Sequence, residues 1–415
     1  MNDKSCASFN GIKRWEDIDF RAAKAHVENL QTRIGNAYKE GKYNKVKALQ
    51  YLLSRSFYAK ALAIKRVTRK RKTKPGVDGI RWLTPKDKWQ ALLELNHKGY
   101  IPQPVKRVFI PKRNRGKRPI GIPTMKDRAM QTLHKYTLEP IAEITADPNS
   151  YAYIKGRCTQ DALGKCVEVL LNSKSQYVLE GDIKGCFDNL SHEWIINHIP
   201  MVKSFLRKFL KSGFEYKGQA FPTKKGIAQG ANISPVICNM VLDGLENYLQ
   251  TKFRSDGKPY FAEFHFIRYA DDFIVVSEDK EFLIHSLLPA IAFFLKERGL
   301  NLSTEKTIIT HINDGFNFLG WNIKKTEKGK LRIAPTEENI EAIIRSMWKA
   351  IKYNNPFVPL ELKLKVLKLM TQGWVNHHEN AIRKIKPHAA TLDKAVREIE
   401  RILKQHIKDY INGLN

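Results

Sequence analysis

The sequence predicts an α+β chain with helical segments at both ends. Three observations carry that expectation. Apolar residues near the start recur at helical spacing. Short apolar runs bounded by turn residues fill the middle. From about residue 335 onward only helical patterning is left. At 415 residues the chain exceeds one typical domain and can bury a substantial core.

Taken in order, residues 17–66 read as helical, with Phe20, Ala23, Val27, Leu30 and Ile34 on one face. The stretch "NKVKALQYLLSRSFYAKALAIKRV" extends this as a second helix, apolar on one side and basic on the other. It runs into "KRVTRKRKTKPGVDG", where seven of the ten residues from Lys65 to Lys74 are basic. Pro75, Gly76 and Gly79 enforce a turn there. Such a run is either a solvated linker or a phosphate contact, and the overall charge favours the second. Residues 104–123 predict two strands, "RVFI" and "PIGI", joined by the basic connector "KRNRGK". Further strands are expected at 177–182, 265–270 and 273–277. Helical patterns lie between them, at "DRAMQTLHKYTLEPIAEI" and "SPVICNMVLDGLENYLQTKF". The tail, ending "TLDKAVREIERILKQHIKDYI", reads as a separate amphipathic, basic helical unit.

Lys and Arg total 72 against 42 acidic residues, a formal charge of +30. A surface that positive attracts a polyanion, foremost nucleic acid. An anionic membrane fits less well, because the N-terminus carries no amphipathic anchor or lipidation signal. The five cysteines, at 6, 158, 166, 186 and 238, form no CxxC pair. That argues for reduced thiols and against a zinc module. No apolar run reaches about 18 residues, and the expectation is a soluble, cytoplasmic protein with no membrane partner.

The chemistry concentrates in two stretches. In "YVLEGDIKGCFDNLSHEW" an apolar strand ends at Asp182 and the chain turns through Gly185. Asp188 and Ser191 are candidate N-caps for the next helix, with Glu193 in its first turn. In "FHFIRYADDFIVVS" the adjacent Asp271 and Asp272 sit between two apolar runs. Asp favours turns, so this pair alone decides nothing. Three carboxylates at strand ends, in a chain that seeks polyanions, suit two divalent cations. Two metals about 3.5–4 Å apart clamp an in-line phosphoryl displacement. Without metals, Asp271 and Asp272 would repel and one pKa would rise.

With those residues in place, "RYADDF" and "LEGDIKGCFDNLSHEW" resemble the palm of reverse transcriptases, in the group II intron-encoded branch. The resemblance extends through "VFIPKRNRGKRPIGIPTMKDRAMQ", "SYAYIKGRCTQDAL", "KKGIAQGANISPVICNMVLDGLE", "GLNLSTEKTIITH", "FNFLGW" and "GWVNHH". It implies a right-hand polymerase: an N-terminal helical extension at 1–85, fingers and palm with a small antiparallel palm sheet at 86–330, and a helical thumb or maturase-like unit at 331–415. It implies RNA-directed DNA synthesis on a structured partner RNA, with dNTPs and two Mg²⁺ ions, or Mn²⁺ in their place.

The resemblance also implies roles. Asp182 and Asp271 would bind both metals, helped by the Ile183 carbonyl, with Asp272 at the edge. Lys112 and Arg118 would grip the triphosphate, against the alternative of solvated turn charges. Phe187 would lie under the sugar and exclude a 2′-hydroxyl. Gln229 would line the nucleotide pocket, although Ala228 replaces the family's usual proline and Ala231-Asn232 follow Gly230. Lys306 would lie near the triphosphate as a proton donor to pyrophosphate, or be a surface lysine. Adjacent His377 and His378 point apart on a helix, so a packing motif around Trp374 is expected rather than a metal site. Members of the branch often carry a Cys-rich endonuclease, for which no CxxC pair is available here, so no target-cleaving activity is expected. Two contexts fit: a phage-defence enzyme copying a non-coding RNA, towards which the altered "AQGANISP" leans, or an intron maturase without endonuclease. A non-catalytic RNA chaperone and an RNA-making polymerase are the rivals. The intact aspartates and Phe187 argue against them.

Overall fold

The computed structural model describes residues 11–69, 73–111, 116–255, 258–259, 262–352 and 358–385, with 397 and 401. Helix α1 (Phe20–Lys39) starts where the Asp19 carboxylate accepts the Arg21 and Ala22 amides at 2.8 and 3.1 Å. Its buried stripe includes the Ala23, Val27, Leu30 and Ile34 expected from spacing. The next segment, expected as one helix, is two. α2 (Tyr43–Arg55) and α3 (Phe57–Val67) are separated at Ser56, whose ψ of 133° breaks the helical hydrogen bonding. The break lets both helices turn a buried face to one partner. α4 (Pro85–Glu94) follows, opened by a Thr84–Asp87 capping box.

The two strands expected around the basic connector are β1 (Val105–Pro111) and β2 (Lys117–Ile122), paired antiparallel. Lys112, in their connector, lies outside the described residues. α5 (Met125–Thr145) is buried along most of its length. α1, α2 and α3 surround it and satisfy its backbone: Gln31 donates to the Tyr136 carbonyl (2.9 Å) and Gln50 to the Thr137 carbonyl (3.2 Å). At its start, buried Asp127 accepts from the Tyr100 hydroxyl and the Thr124 hydroxyl, both at 2.7 Å.

α6 (Thr159–Asn172) leads into β3 (Tyr177–Asp182), then α7 (Cys186–Asn189), α8 (His192–His198) and α9 (Lys203–Leu210). Asp188, expected as an N-cap, sits inside α7. Ser191 caps α8, accepting the Trp194 amide at 3.2 Å. The hairpin β4 (Phe214–Tyr216) and β5 (Gln219–Phe221) joins the first sheet, with β4 parallel to β1. The next helical pattern is also split: α10 (Ser234–Leu242) and α11 (Leu245–Phe253) meet at Gly244, whose φ of 89° favours glycine. A short hairpin, β6 (Arg254–Ser255) with β7 (Lys258–Pro259), follows.

β8 (Phe264–Tyr269) and β9 (Asp272–Ser277) form the central hairpin. α12 (Lys280–Phe282) continues through a π-turn into α13 (Leu288–Glu297), and β10 (Ile308–His311) completes a four-stranded antiparallel sheet, β10-β3-β9-β8. One sheet face, with Leu179, Phe273 and Val275, enters the main core shared with α1–α5. The other, with Val178, Ile274 and Val276, packs in a second core with α6. Gly181 makes the first face possible, because a Cβ there would lie 2.1 Å from the Phe273 ring. Burying a side chain of that size contributes roughly 1.5–3 kcal/mol.

The sequence did not announce the third sheet, β11 (Phe316–Phe318), β12 (Trp321–Lys325) and β13 (Leu331–Pro335), which also lines the second core. α14 (Glu337–Lys352) and α15 (Leu360–Ile385) follow. On α15, His378 is buried, packs tilted against Trp374 with ring centroids 3.9 Å apart and meets Asn339 at 3.3 Å, as expected of a packing motif. The tail helix expected at 391–411 lies almost wholly outside the described residues. No helix among the described residues is long and apolar enough to cross a membrane.

Candidate active site

β3 and β9 pair so that Asp182 stands opposite Asp272. β8 and β9 pair Tyr269 with Asp272, leaving Ala270 and Asp271 as a two-residue turn. Tight hairpin turns need positive φ, and Ala270 supplies it at 58°. A left-handed alanine costs about 1–2 kcal/mol, so the surroundings hold it there. One short turn thus brings the three aspartates to one end of the sheet.

Their electrostatics agree. Burial raises the Asp271 carboxyl above its ordinary range, and the Asp182 charge adds to this. Asp272 is pushed up to about 6, by its surroundings first and then by Asp271 and Asp182. Its surface exposure lets water soften both effects. Asp182 has a cation: Lys306 donates to both its oxygens at 3.2 and 3.1 Å. The Lys306 loop docks on the same strand end, with the Ser303 amide donating to the Asp182 carbonyl at 2.8 Å. Lys306, expected near a triphosphate, therefore contacts a carboxylate here. Ile183 is buried beside them and bridges to Leu302.

No three His, Cys, Asp or Glu side chains among the described residues close into a ready metal cage. Mg²⁺ does not require one, because it uses one or two carboxylates, retained waters and substrate phosphates. Two carboxylates raised first by burial and then by neighbouring negative charge, with a third balanced by an ammonium, make a donor set that fits a divalent cation.

Phe187 is half-buried, and its carbonyl accepts the Ile227 amide at 2.7 Å. Gly226 allows that approach, since a Cβ there would lie 2.5 Å from the Asp188 carbonyl oxygen. Gln229 is tied to the basic hairpin: the Gly121 amide donates to its carbonyl at 2.7 Å. Arg118 is exposed on β2 and acts electrostatically on Asp271 and Asp272. The chain thus gathers Asp182, Asp271, Asp272 and Lys306, with Arg118 near enough to affect their charge. Sequence reasoning passed over Arg268, a fully buried guanidinium on β8 that bonds the Ala270 carbonyl at 3.3 Å. The signal was there: a lone arginine inside an apolar strand needs buried partners. It also passed over Tyr153, an exposed, left-handed residue (φ 58°) whose hydroxyl feels the Asp271 charge.

Residues 110–323 match the family described as reverse transcriptase (RNA-dependent DNA polymerase). The chain belongs to that family. Residues 15–95 match the N-terminal domain of reverse transcriptase. The chain is 28% identical to Protein YkfC of Escherichia coli (strain K12) over 310 residues, 63% of this chain and 79% of that one. It is 30% identical to group II intron-encoded protein LtrA of Lactococcus lactis subsp. cremoris over 297 residues, 56% of this chain and 49% of LtrA. The match therefore spans about half of LtrA's length. A Candida albicans telomerase structure covers 73% of this chain and 58% of its own at 14% identity and a TM-score of 0.43, a likeness on which nothing here rests. The reverse transcriptase is of the group II intron-like kind, an RNA-directed DNA polymerase with the right-hand fold. Its family uses divalent metal ions, binds RNA templates and makes DNA.

Proposed function

We propose that this reverse transcriptase copies a bound structured RNA into cDNA by two-metal nucleotidyl transfer at Asp182, Asp271 and Asp272. One observation carries the reading: strand register sets Asp182 opposite Asp272, with Asp271 at the tip of the adjoining turn. Asp182 and Asp271 would hold Mg²⁺, with the Ile183 carbonyl beside them and Asp272 at the rim. When bound, the metal activates the primer 3′-hydroxyl and balances phosphate charge. Arg118, with Lys112, binds the triphosphate through charge-assisted contacts. Phe187 excludes a 2′-hydroxyl and Gln229 lines the nucleotide pocket. Lys306, which lies on Asp182 in this structure, would give a proton to pyrophosphate. We assign 1–85 to the extension, 86–330 to fingers and palm and 331–415 to the thumb.

The RNA partner is inferred to be of group II intron type, on the similarity to LtrA. A phage-defence role has no comparable support among the residues described. A cytoplasmic setting is inferred from the unbridged thiols of Cys166, Cys186 and Cys238. The experiment is dNTP incorporation on an RNA template by wild type and by Asp271→Ala/Asp272→Ala. Incorporation by wild type alone is the expected result. Equal signal from both proteins would leave only a non-catalytic RNA-binding role. Sequencing copurifying RNA and its cDNA then identifies the template.

A further inference from the structure

We propose that Arg268 is a positioning residue for Asp271, holding the left-handed turn from behind through the Ala270 carbonyl. This rests on the polymerase reading above. Arg268 has 0% surface exposure and is the largest fully buried side chain described. Its guanidinium pairs with Asp243 and lies 3.9 Å from Asp147. Its Nη1 donates to Asn239 Oδ1 at 3.4 Å and to the Ala270 carbonyl at 3.3 Å.

The main chain of Arg268 is fixed as well. Its amide donates to the Asn149 carbonyl and its carbonyl accepts from the Tyr151 amide, both at 2.9 Å. The anchoring acids are themselves held. Asp147 accepts from the Gly244 amide at 3.0 Å, and Glu246 accepts from the Asn149 amide at 3.0 Å and its side chain at 2.6 Å. Arg268 therefore joins β8, the 147–151 loop and the α10–α11 corner to the catalytic turn.

Burying a guanidinium is costly, and an apolar residue would serve packing as well. The bond to Ala270 gives the charge a purpose. That carbonyl belongs to the peptide leading into Asp271, so its plane sets the direction from which the Asp271 side chain departs. Ala270 is not glycine, and the strained φ needs an external hold. Lysine could keep an ion pair with Asp243. It lacks the rigid fork that reaches Asp243 and Ala270 together.

The test compares Arg268→Lys and Asp243→Asn with wild type. It measures melting temperature, kcat and KM for dNTP on an RNA template, and Mn²⁺ binding by electron paramagnetic resonance. Arg268→Lys should lower kcat roughly 10-fold or more and weaken Mn²⁺ binding, with dNTP KM within about twofold. Asp243→Asn, nearly isosteric, should shift kcat and Mn²⁺ affinity in the same direction by less. A purely structural role would lower the melting temperature and leave both values per folded molecule unchanged, which overturns the proposal. If Arg268→Lys does not fold, Asp243→Asn decides, and wild-type kcat and Mn²⁺ affinity there overturn it. An inactive wild type would instead count against the polymerase reading, while the Mn²⁺ titration still reports on Arg268.

Discussion

Two hairpins of the chain, β8–β9 and β1–β2, are built in opposite ways. β8–β9 is buried along both strands, closes through two residues and presents carboxylates. β1–β2 is half-buried to exposed over most of its length and carries Lys106, Lys117 and Arg118 at exposed positions. The difference suits the ligands proposed for them. A small divalent cation requires donors placed to fractions of an ångström, and β8–β9 is locked into two cores. A triphosphate is large and anionic, so exposed cations suffice to bind it. Substitutions at the carboxylate hairpin should therefore remove turnover, and substitutions at the basic hairpin should weaken substrate binding.

The largest effect is expected from Asp271→Asn. Single-nucleotide extension should fall by roughly 10³-fold or more, while the melting temperature holds or rises because a repulsion is relieved. Residual turnover near wild type would remove Asp271 from the metal set. Arg118→Ala should raise dNTP KM by about 10–100-fold, the worth of a charge-assisted contact, with a smaller change in kcat. A kcat effect larger than the KM effect would erase the contrast between the hairpins. Phe187→Ala should relax discrimination against ribonucleotides by roughly tenfold or more. Ribonucleotide incorporation as poor as in wild type would acquit Phe187 as the gate.

Two smaller effects lie closer to stability. His97 and His134 pack edge to face at 5.3 Å, and their ring nitrogens have no hydrogen-bond partner among the described residues. Burial lowers His97 to about 4 and His134 well below its ordinary value. The unfolded chain therefore binds more protons below about pH 6.5, so stability is full above that value and lost as pH falls towards 4. Melting temperature should drop by several degrees over that window, and His134→Leu should flatten the drop. An unchanged pH profile in the variant would show that His134 is not buried neutral. Ala270→Gly should change stability least. Relief of a left-handed alanine, about 1–2 kcal/mol, is largely offset by glycine's entropy of about 0.5–1 kcal/mol. A melting-temperature loss as large as that of a core truncation would mean the alanine methyl group packs in a way that φ alone does not reveal.

Much of the palm was legible in sequence, because apolar runs ending in Asp182 and flanking Asp271 leave few alternatives to a sheet. The carboxylates were legible for the same reason: nothing local explains Asp182 at a strand end. The breaks at Ser56 and Gly244 were not, since both continue an apolar helical pattern and only packing shows the bend. The third sheet escaped because its strands, such as Phe316–Phe318, are too short for alternation to register. Arg268 escaped because its partners Asp147 and Asp243 lie on other elements, and nothing local links them. Lys306 shows a different limit. Sequence placed it near the chemistry, and only coordinates place it on Asp182.

The short bond from the Gly121 amide to the Gln229 carbonyl has a mechanical consequence. Gly230 fits against Gly121 only without a side chain, as a Cβ would lie 2.7 Å from the Gly121 carbonyl oxygen. Strand β2 and the Gln229 turn are therefore fixed closely to one another. With Arg118 and Gln229 in the roles proposed above, neither could shift without the other. Damage to either end should be felt at the other.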